Sequence, residues 1–131
     1  MKVSKQVIFW VVLVDVVSKF AVQRFAPLKV IENPSLPFGM NLGFFNFVLV
    51  SAVLLFFIFW GKRFFSAEDK IGVSLVLGGA ASNLLDRLMD GTVADFINVG
   101  ISTINLADAA VFAGIISLVV NLCSKKSILP R

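Results

Sequence analysis

The stretch Ile71–Leu88 reads IGVSLVLGGAASNLLDRL. It is close to the roughly 20 apolar residues that a helix needs to cross a bilayer. Ser74, Gly78 and Ser82 recur every four residues. On a helix they form one small-residue face, against which another helix can pack closely. Gly79, Asn83 and Arg87 form a second stripe at the same spacing. It leads from the small patch to a basic end, and Asp86 lies three residues from Asn83, near the same face. Helix packing accounts for the first stripe. An Asn and an Arg on the second suit donation to a carboxylate or to a carbonyl.

Three more apolar runs flank this one: Gln6–Phe25, Met40–Trp60 and Ile104–Cys123. Four spans leave only loops and tails in a chain of 131 residues. The composition agrees, with 58% hydrophobic and 15% charged residues and a mean hydropathy of +0.93. Soluble domains carry about a quarter charged residues, and a soluble chain this short could not hide so much apolar surface. The expected fold class is an all-α membrane protein with four transmembrane helices. It forms a single domain over residues 1–131, with short outer loops that hold at most a little β structure. Lys2 and Lys5 precede the first run as they would in a signal peptide, but Asp15 and Lys19 interrupt it and no small-x-small site follows. A retained first span is therefore expected. The Phe-rich second run is expected to face lipid.

The basic residues sort by side. Lys2, Lys5, Lys62, Arg63, Lys70, Lys125, Lys126 and Arg131 fall on one side of the four spans; Lys19, Arg24, Lys29 and Arg87 fall on the other. The positive-inside bias puts both termini in the cytoplasm, with Trp10 and Trp60 toward that interface. The net charge of +4 then reports topology, and no nucleic-acid partner is expected. The chain has no histidine and a single cysteine, Cys123. That excludes His-based general-base catalysis, His-ligated metal or haem, an internal disulfide and any multi-Cys metal site. No cofactor and no metal are expected.

Ionisable groups at membrane depth need a partner or a function. Asp15 and Lys19 are i and i+4 and share a helix face. They read as a local ion pair with a snorkelling Lys, or as the anchor of a polar network near the outer end of the bundle. Asp95 follows the outer end of the third span, and Asp108 lies just inside the fourth, one turn after Asn105, which suits the N-cap region. Alone, Asp95 reads as a solvated loop carboxylate and Asp108 as a charge favoured by a helix N-terminus. Together they say more. The chain must fold back between them, and two carboxylates converging at a membrane boundary share a proton, bind a cation or stay solvated. A carboxylate pair sharing one proton is the apparatus of aspartic peptidases.

The motifs together resemble those of lipoprotein signal peptidase, the signal peptidase II family of bacterial membrane aspartic peptidases. The likeness runs from Asp15 to Ala109. Asp15-Val16-Val17-Ser18-Lys19 resembles the first-helix motif, and Asn33 with Phe38-Gly39 the loop motif after it. Gly78-Gly79-Ala80 with Asn83, Asp86 and Arg87 resembles the third-helix motif. Val93-Ala94-Asp95-Phe96 and Asn105-Leu106-Ala107-Asp108 resemble the two motifs that carry the catalytic pair. The resemblance implies Asp95 and Asp108 as catalytic residues acting through an activated water. It implies Asn33, Asn83, Arg87 and Asn105 as residues that position substrate and dyad, and Asp15, Lys19, Gly79 and Asp86 as support. The implied partners are membrane lipids and a diacylglyceryl-modified prolipoprotein, cut just before its lipidated Cys. The implied location is the bacterial inner membrane, with the site toward the outer face; a monomer is expected.

The chain departs from the family pattern at Ser35, where Gly is usual, with Pro34 and Pro37 beside it, and at Ile104, where Phe is usual. Its outer loops are short, and the stretch from Arg24 to Phe38 is expected to leave little room for an outer sheet. Two other functions fit the polar pattern. One is a non-catalytic relative that binds lipidated or helical membrane partners. The other is a cation or proton pathway, which would spread its carboxylates through the depth of the bundle.

Overall fold

Helix α1 (Lys5–Phe25) starts where Ser4 accepts from the Val7 amide at 3.4 Å, and its last turn closes through the Ala26 amide on Val22 O. The computed structural model describes residues 3–26, 29–33 and 44–127. After α1 come strand β1 (Ile31–Asn33), helix α2 (Phe44–Phe59) and a short turn of helix, α3 (Gly61–Phe64). Helix α4 (Lys70–Met89) leads to strands β2 (Val93–Asp95), β3 (Ile97–Asn98) and β4 (Thr103–Ile104), and helix α5 (Leu106–Ser127) follows. Met40–Gly43 of the second expected span lie outside the described residues, as do Pro34, Ser35, Pro37, Phe38 and Gly39 of the loop motif.

The two stripes of α4 sort its neighbours. Ser74 accepts from the Ser4 amide at 2.7 Å, Gly78 lies against Val11, and Ser82 donates to Asp15 at 2.8 Å. Numbers rise together on both helices, so α1 and α4 run parallel along the small-residue face. On the side of the helix that carries the other stripe, Gly72 lies against Gly114, and a Cβ on Gly79 would run into the Ala107 carbonyl. Here numbers run in opposite directions, so α5 is antiparallel to α4. Glycine is needed at both crossings because backbone meets backbone. The outcome is that α1 begins and α5 ends at the same end of the bundle. There Asp69, 1% exposed, accepts from the Ser66 amide at 2.8 Å and from Asn121 on α5 at 3.1 Å.

Between α2 and α4 the chain folds back on aromatic rings. Phe56 stacks on Phe64 and Phe57 on Phe65, with centroids 5.8 and 5.3 Å apart. Phe57 also packs on the core formed by Val73, Val76, Leu77 and Leu118. The Phe-rich second run is thus not wholly lipid-facing, although Phe59 is exposed.

The interior mixes an apolar core with many polar side chains, while large apolar side chains cover the outside. Among the described residues the interior holds Asp15, Lys19, Asp69, Ser74, Ser82, Asn83, Asp95, Asn105 and Asp108, while Phe9, Trp10, Phe20, Ile116 and Val120 face outward. Such a surface is unfavourable in water and suited to hydrocarbon. Two of the described helices are long and apolar enough to cross a membrane, Lys5–Phe25 and the Leu106–Ser124 part of α5.

The fourth expected span, realised as α5, starts later than Ile104. Ile104 ends strand β4 and Asn105 caps α5, so the helix begins at Leu106. The short 24–38 stretch still supplies a strand. β1 pairs antiparallel with β2, in the register Ile31 with Asp95 and Asn33 with Val93, and β3 pairs with β4. A three-residue strand finds room because its partner comes from the α4–α5 connection and not from its own loop.

Candidate active site

At the end of the bundle where α4 finishes and α5 begins, one side chain joins both carboxylates. Asn105 Oδ1 accepts from the Asp108 amide at 2.8 Å, and Asp108 Oδ2 accepts from the Asn105 amide at 3.5 Å. This reciprocal cap satisfies donors that the first turn of α5 would otherwise leave open. With its oxygen so committed, Asn105 points its amino group the other way. Nδ2 donates to Asp95 Oδ1 at 2.7 Å and to Asn83 Oδ1 at 3.1 Å.

Asn83 completes the second link. Its Nδ2 donates to Asp108 Oδ1 at 2.7 Å. Asn33 on β1 donates to Asp95 Oδ2 at 2.9 Å. Asn33 lies opposite Val93, so Asp95 is its diagonal neighbour on the same face of the strand pair. Each carboxylate therefore has both oxygens engaged by donors. Asp95 is 3% and Asp108 7% exposed. Burial pushes the Asp95 carboxyl above the usual carboxylate range; the Asn33 and Asn105 donors and the charges of Lys19 and Arg87 pull it down.

Beside the two carboxylates lies a cluster of charges centred on Lys19. Lys19 donates to Asp15 at 2.5 Å, to Asp86 at 2.6 Å and to Asn83 Oδ1 at 3.4 Å. Asp15 accepts in addition from Ser82 and from the Ala107 amide in the first turn of α5, both at 2.8 Å. The ion pair of Asp15 and Lys19 is thus part of the network anchor, and Lys19 lies in the interior instead of snorkelling outward as the local-pair reading expects. Arg87 donates to the Asn83 carbonyl at 3.0 Å. On the far side of Lys19 and Asp86 a cavity of about 730 Å³ opens between α1, α4 and the β1–β2 pair.

Every site residue expected from sequence lies in or next to this cluster. Asn33, Asn83 and Asn105 meet the carboxylates directly, while Gly79 stands one turn before Asn83 at the α4–α5 crossing. Three partners were not anticipated. Ser82, which in sequence belongs to the small-residue packing face, donates to Asp15. Glu32 accepts from Thr92 at 2.7 Å and from Gln23 at 3.3 Å, tying β1 to its surroundings. The Asp69–Asn121 pair closes the opposite end, and Asn121 was visible in sequence as a polar residue inside an apolar run. Among the described residues no group of His, Cys, Asp and Glu has metal-binding geometry.

Apolar helices folded around a polar interior define a membrane protein, and the fold is that of a bacterial membrane enzyme. A solved structure of that description, 20% identical in sequence, matches with a TM-score of 0.73 over 96% of this chain and 90% of its own. The family described as signal peptidase (SPase) II matches residues 5–124. The chain is also similar to the lipoprotein signal peptidase of Coxiella burnetii (strain RSA 331 / Henzerling II), at 33% identity over 86% of this chain and 84% of that protein. Against the lipoprotein signal peptidase of Syntrophus aciditrophicus (strain SB), identity is 32% over 80% of this chain and 74% of the relative. The chain belongs to the signal peptidase II family, and with it to the membrane peptidases.

Proposed function

We propose that this chain is an aspartic endopeptidase that removes signal peptides from diacylglyceryl-modified prolipoproteins, cutting just before the lipidated Cys. The observation that carries the reading is the Asn105 side chain, which holds the Asp95 carboxylate and caps the turn bearing Asp108. Two buried carboxylates so joined share one proton. The ionised one takes a proton from water as the water attacks the scissile carbonyl. The protonated one donates to the carbonyl oxygen and, as the tetrahedral intermediate collapses, a proton passes to the leaving amine. Asn33, Asn83 and Asn105 hold the pair, and Arg87 steadies the α4 turn that carries Asn83.

In this reading α1, α2, α4 and α5 all cross the bacterial inner membrane as one domain, residues 1–131, with both termini in the cytoplasm. The dyad then lies at the outer boundary, where a lipid anchor would hold the scissile bond. Anchoring of this kind turns an encounter into a local event, which contributes up to about 7–11 kcal/mol in ideal intramolecular cases. The protein acts as a monomer. Among the described residues, Asp15, Asp86, Asp95 and Asp108 gather at one end of the bundle, and Asp69 stands as the lone buried carboxylate at the other. This disfavours a proton pathway, which would need carboxylates at successive depths between them.

The test is a gel-shift cleavage assay with the purified protein in detergent or bilayer. A diacylglyceryl-modified precursor and its unlipidated form are compared, with Asp108→Asn as control. Cleavage of the lipidated form alone, lost in the variant, is expected. A folded protein that cleaves neither form would sink the reading in favour of a non-catalytic relative.

A further inference from the structure

Lys19 is 5% exposed and makes three contacts: Asp15 at 2.5 Å, Asp86 at 2.6 Å and Asn83 Oδ1 at 3.4 Å. An ammonium has three donors and no acceptor. Only an oxygen can face it favourably, and this constrains Asn83. The Asn83 amide has two orientations, related by a half-turn. In the observed one its oxygen faces Lys19 and Asn105 Nδ2, and its amino group faces Asp108. In the other, an amino group would face two donors and an oxygen would face a carboxylate, so every contact turns repulsive.

The Asp15 contact acts on the same point from the backbone side. Asp15 Oδ1 accepts from the Ala107 amide at 2.8 Å, one residue before Asp108. One helix, α1, thus touches both the turn that carries Asp108 and the amide that donates to it. We propose that Lys19 is a positioning residue for the peptidase reaction: it locks the Asn83 amide so that its amino group stays on Asp108, while Asp15 holds the helix start beneath it. The inference rests on Asp95 and Asp108 being the reacting pair. The charged groups around this point are Asp15 and Lys19 from α1, Asp86 and Arg87 from α4, and Asp95 from β2.

The test is the pH–rate profile of lipidated-precursor cleavage by the full chain, for wild type, Lys19→Met, Lys19→Arg and the double variant Lys19→Met/Asp86→Asn. The double variant removes one charge of each sign, so it separates loss of the Lys19–Asn83 contact from loss of charge balance. Both Met variants should lose about tenfold in kcat with KM little changed. Their acid limb should rise by about one pH unit, the size expected for losing one hydrogen bond to a charged group. Lys19→Arg keeps the charge but not the geometry and should show a smaller shift. If the Met variants misfold, Arg alone decides. A folded variant with the wild-type acid limb, or a loss confined to KM, overturns the proposal. A carbon-13 titration of Asp108 in the same variants needs no turnover. If wild type fails to cleave, the peptidase reading falls, and an Asp108 titration unmoved by the Lys19 variants removes the positioning role as well.

Discussion

Asn105 donates to Asp95 at 2.7 Å with the side chain whose oxygen accepts from the Asp108 amide at 2.8 Å. The strand carrying one carboxylate is therefore tied to the helix start carrying the other. Two substitutions separate the cap from the tie. Asn105→Asp keeps an acceptor for the cap and loses the donor to Asp95. Its helix start should survive while activity falls by about a hundredfold, the scale of misplaced catalytic groups. Asn105→Ala loses both, and should in addition lower stability by about 1 kcal/mol. Turnover and the unfolding midpoint in detergent, measured side by side, check the split; equal stability losses in the two variants would argue against it.

The dyad gives a sharper arithmetic. Asp95→Asn and Asp108→Asn should each abolish cleavage of a lipidated precursor, and the double variant should be no worse than either alone. Residues that act as a unit do not contribute additively. Near-normal turnover in either single variant removes that residue from the chemistry.

Gly79 is required by contact and not by backbone angle. A Cβ there would meet the Ala107 carbonyl and, at 2.7 Å, Val111. Gly79→Ala should push α4 from α5 at the turn below Asn83, costing about 1–3 kcal/mol and most of the activity. Gly91 makes the comparison: its φ is +75°, and nothing stands near its missing Cβ. Gly91→Ala should cost roughly 1 kcal/mol of backbone strain and leave cleavage largely intact. Melting curves and turnover for the pair test this; the same activity loss at both sites would mean the crossing is not what matters.

Much of this was legible in the sequence because long apolar runs bounded by polar residues carry a strong helical signal. The run Ile71–Leu88 falls within helix Lys70–Met89, and Gln6–Phe25 within helix Lys5–Phe25. The polar residues stood out against such runs: Asp15, Asn83 and Asp108 are costly there unless they are used. Their pairing was not legible. Asn83 and Asn105 can each donate or accept, and the choice is settled by the α5 cap and by Lys19, contacts made across 22 and 64 residues. Strand β1 was hidden for a related reason. Three residues carry no period, and its partner lies 60 or more residues away.

Arg87 tests whether geometry or charge matters at the end of α4. It donates to the Asn83 carbonyl at 3.0 Å through Nη1. Arg87→Ala should lower both stability and turnover. Arg87→Lys should recover only part of either, because an ammonium lacks the planar fork. The unfolding midpoint and kcat of the two variants give the answer; complete recovery by Lys would reduce Arg87 to a charge that helps set topology.

Asp95 makes stability depend on pH in a stated direction. Burial raises its carboxyl above the ordinary aspartate value of 3.8 in the folded chain. The folded state therefore holds this proton more tightly than the unfolded state does. Its contribution to stability is complete below about 3.8 and is lost as pH rises from there through the folded value. Asp95→Asn cannot ionise, so the variant should lose this part of the pH dependence and gain stability relative to wild type toward neutral pH. It should do so while losing cleavage, the opposite signs marking a group held in an unfavourable state for the sake of the reaction. Unfolding midpoints of both proteins across the acid to neutral range decide the matter. Parallel curves would mean that the Asn33 and Asn105 donors, with Lys19 and Arg87, offset the burial.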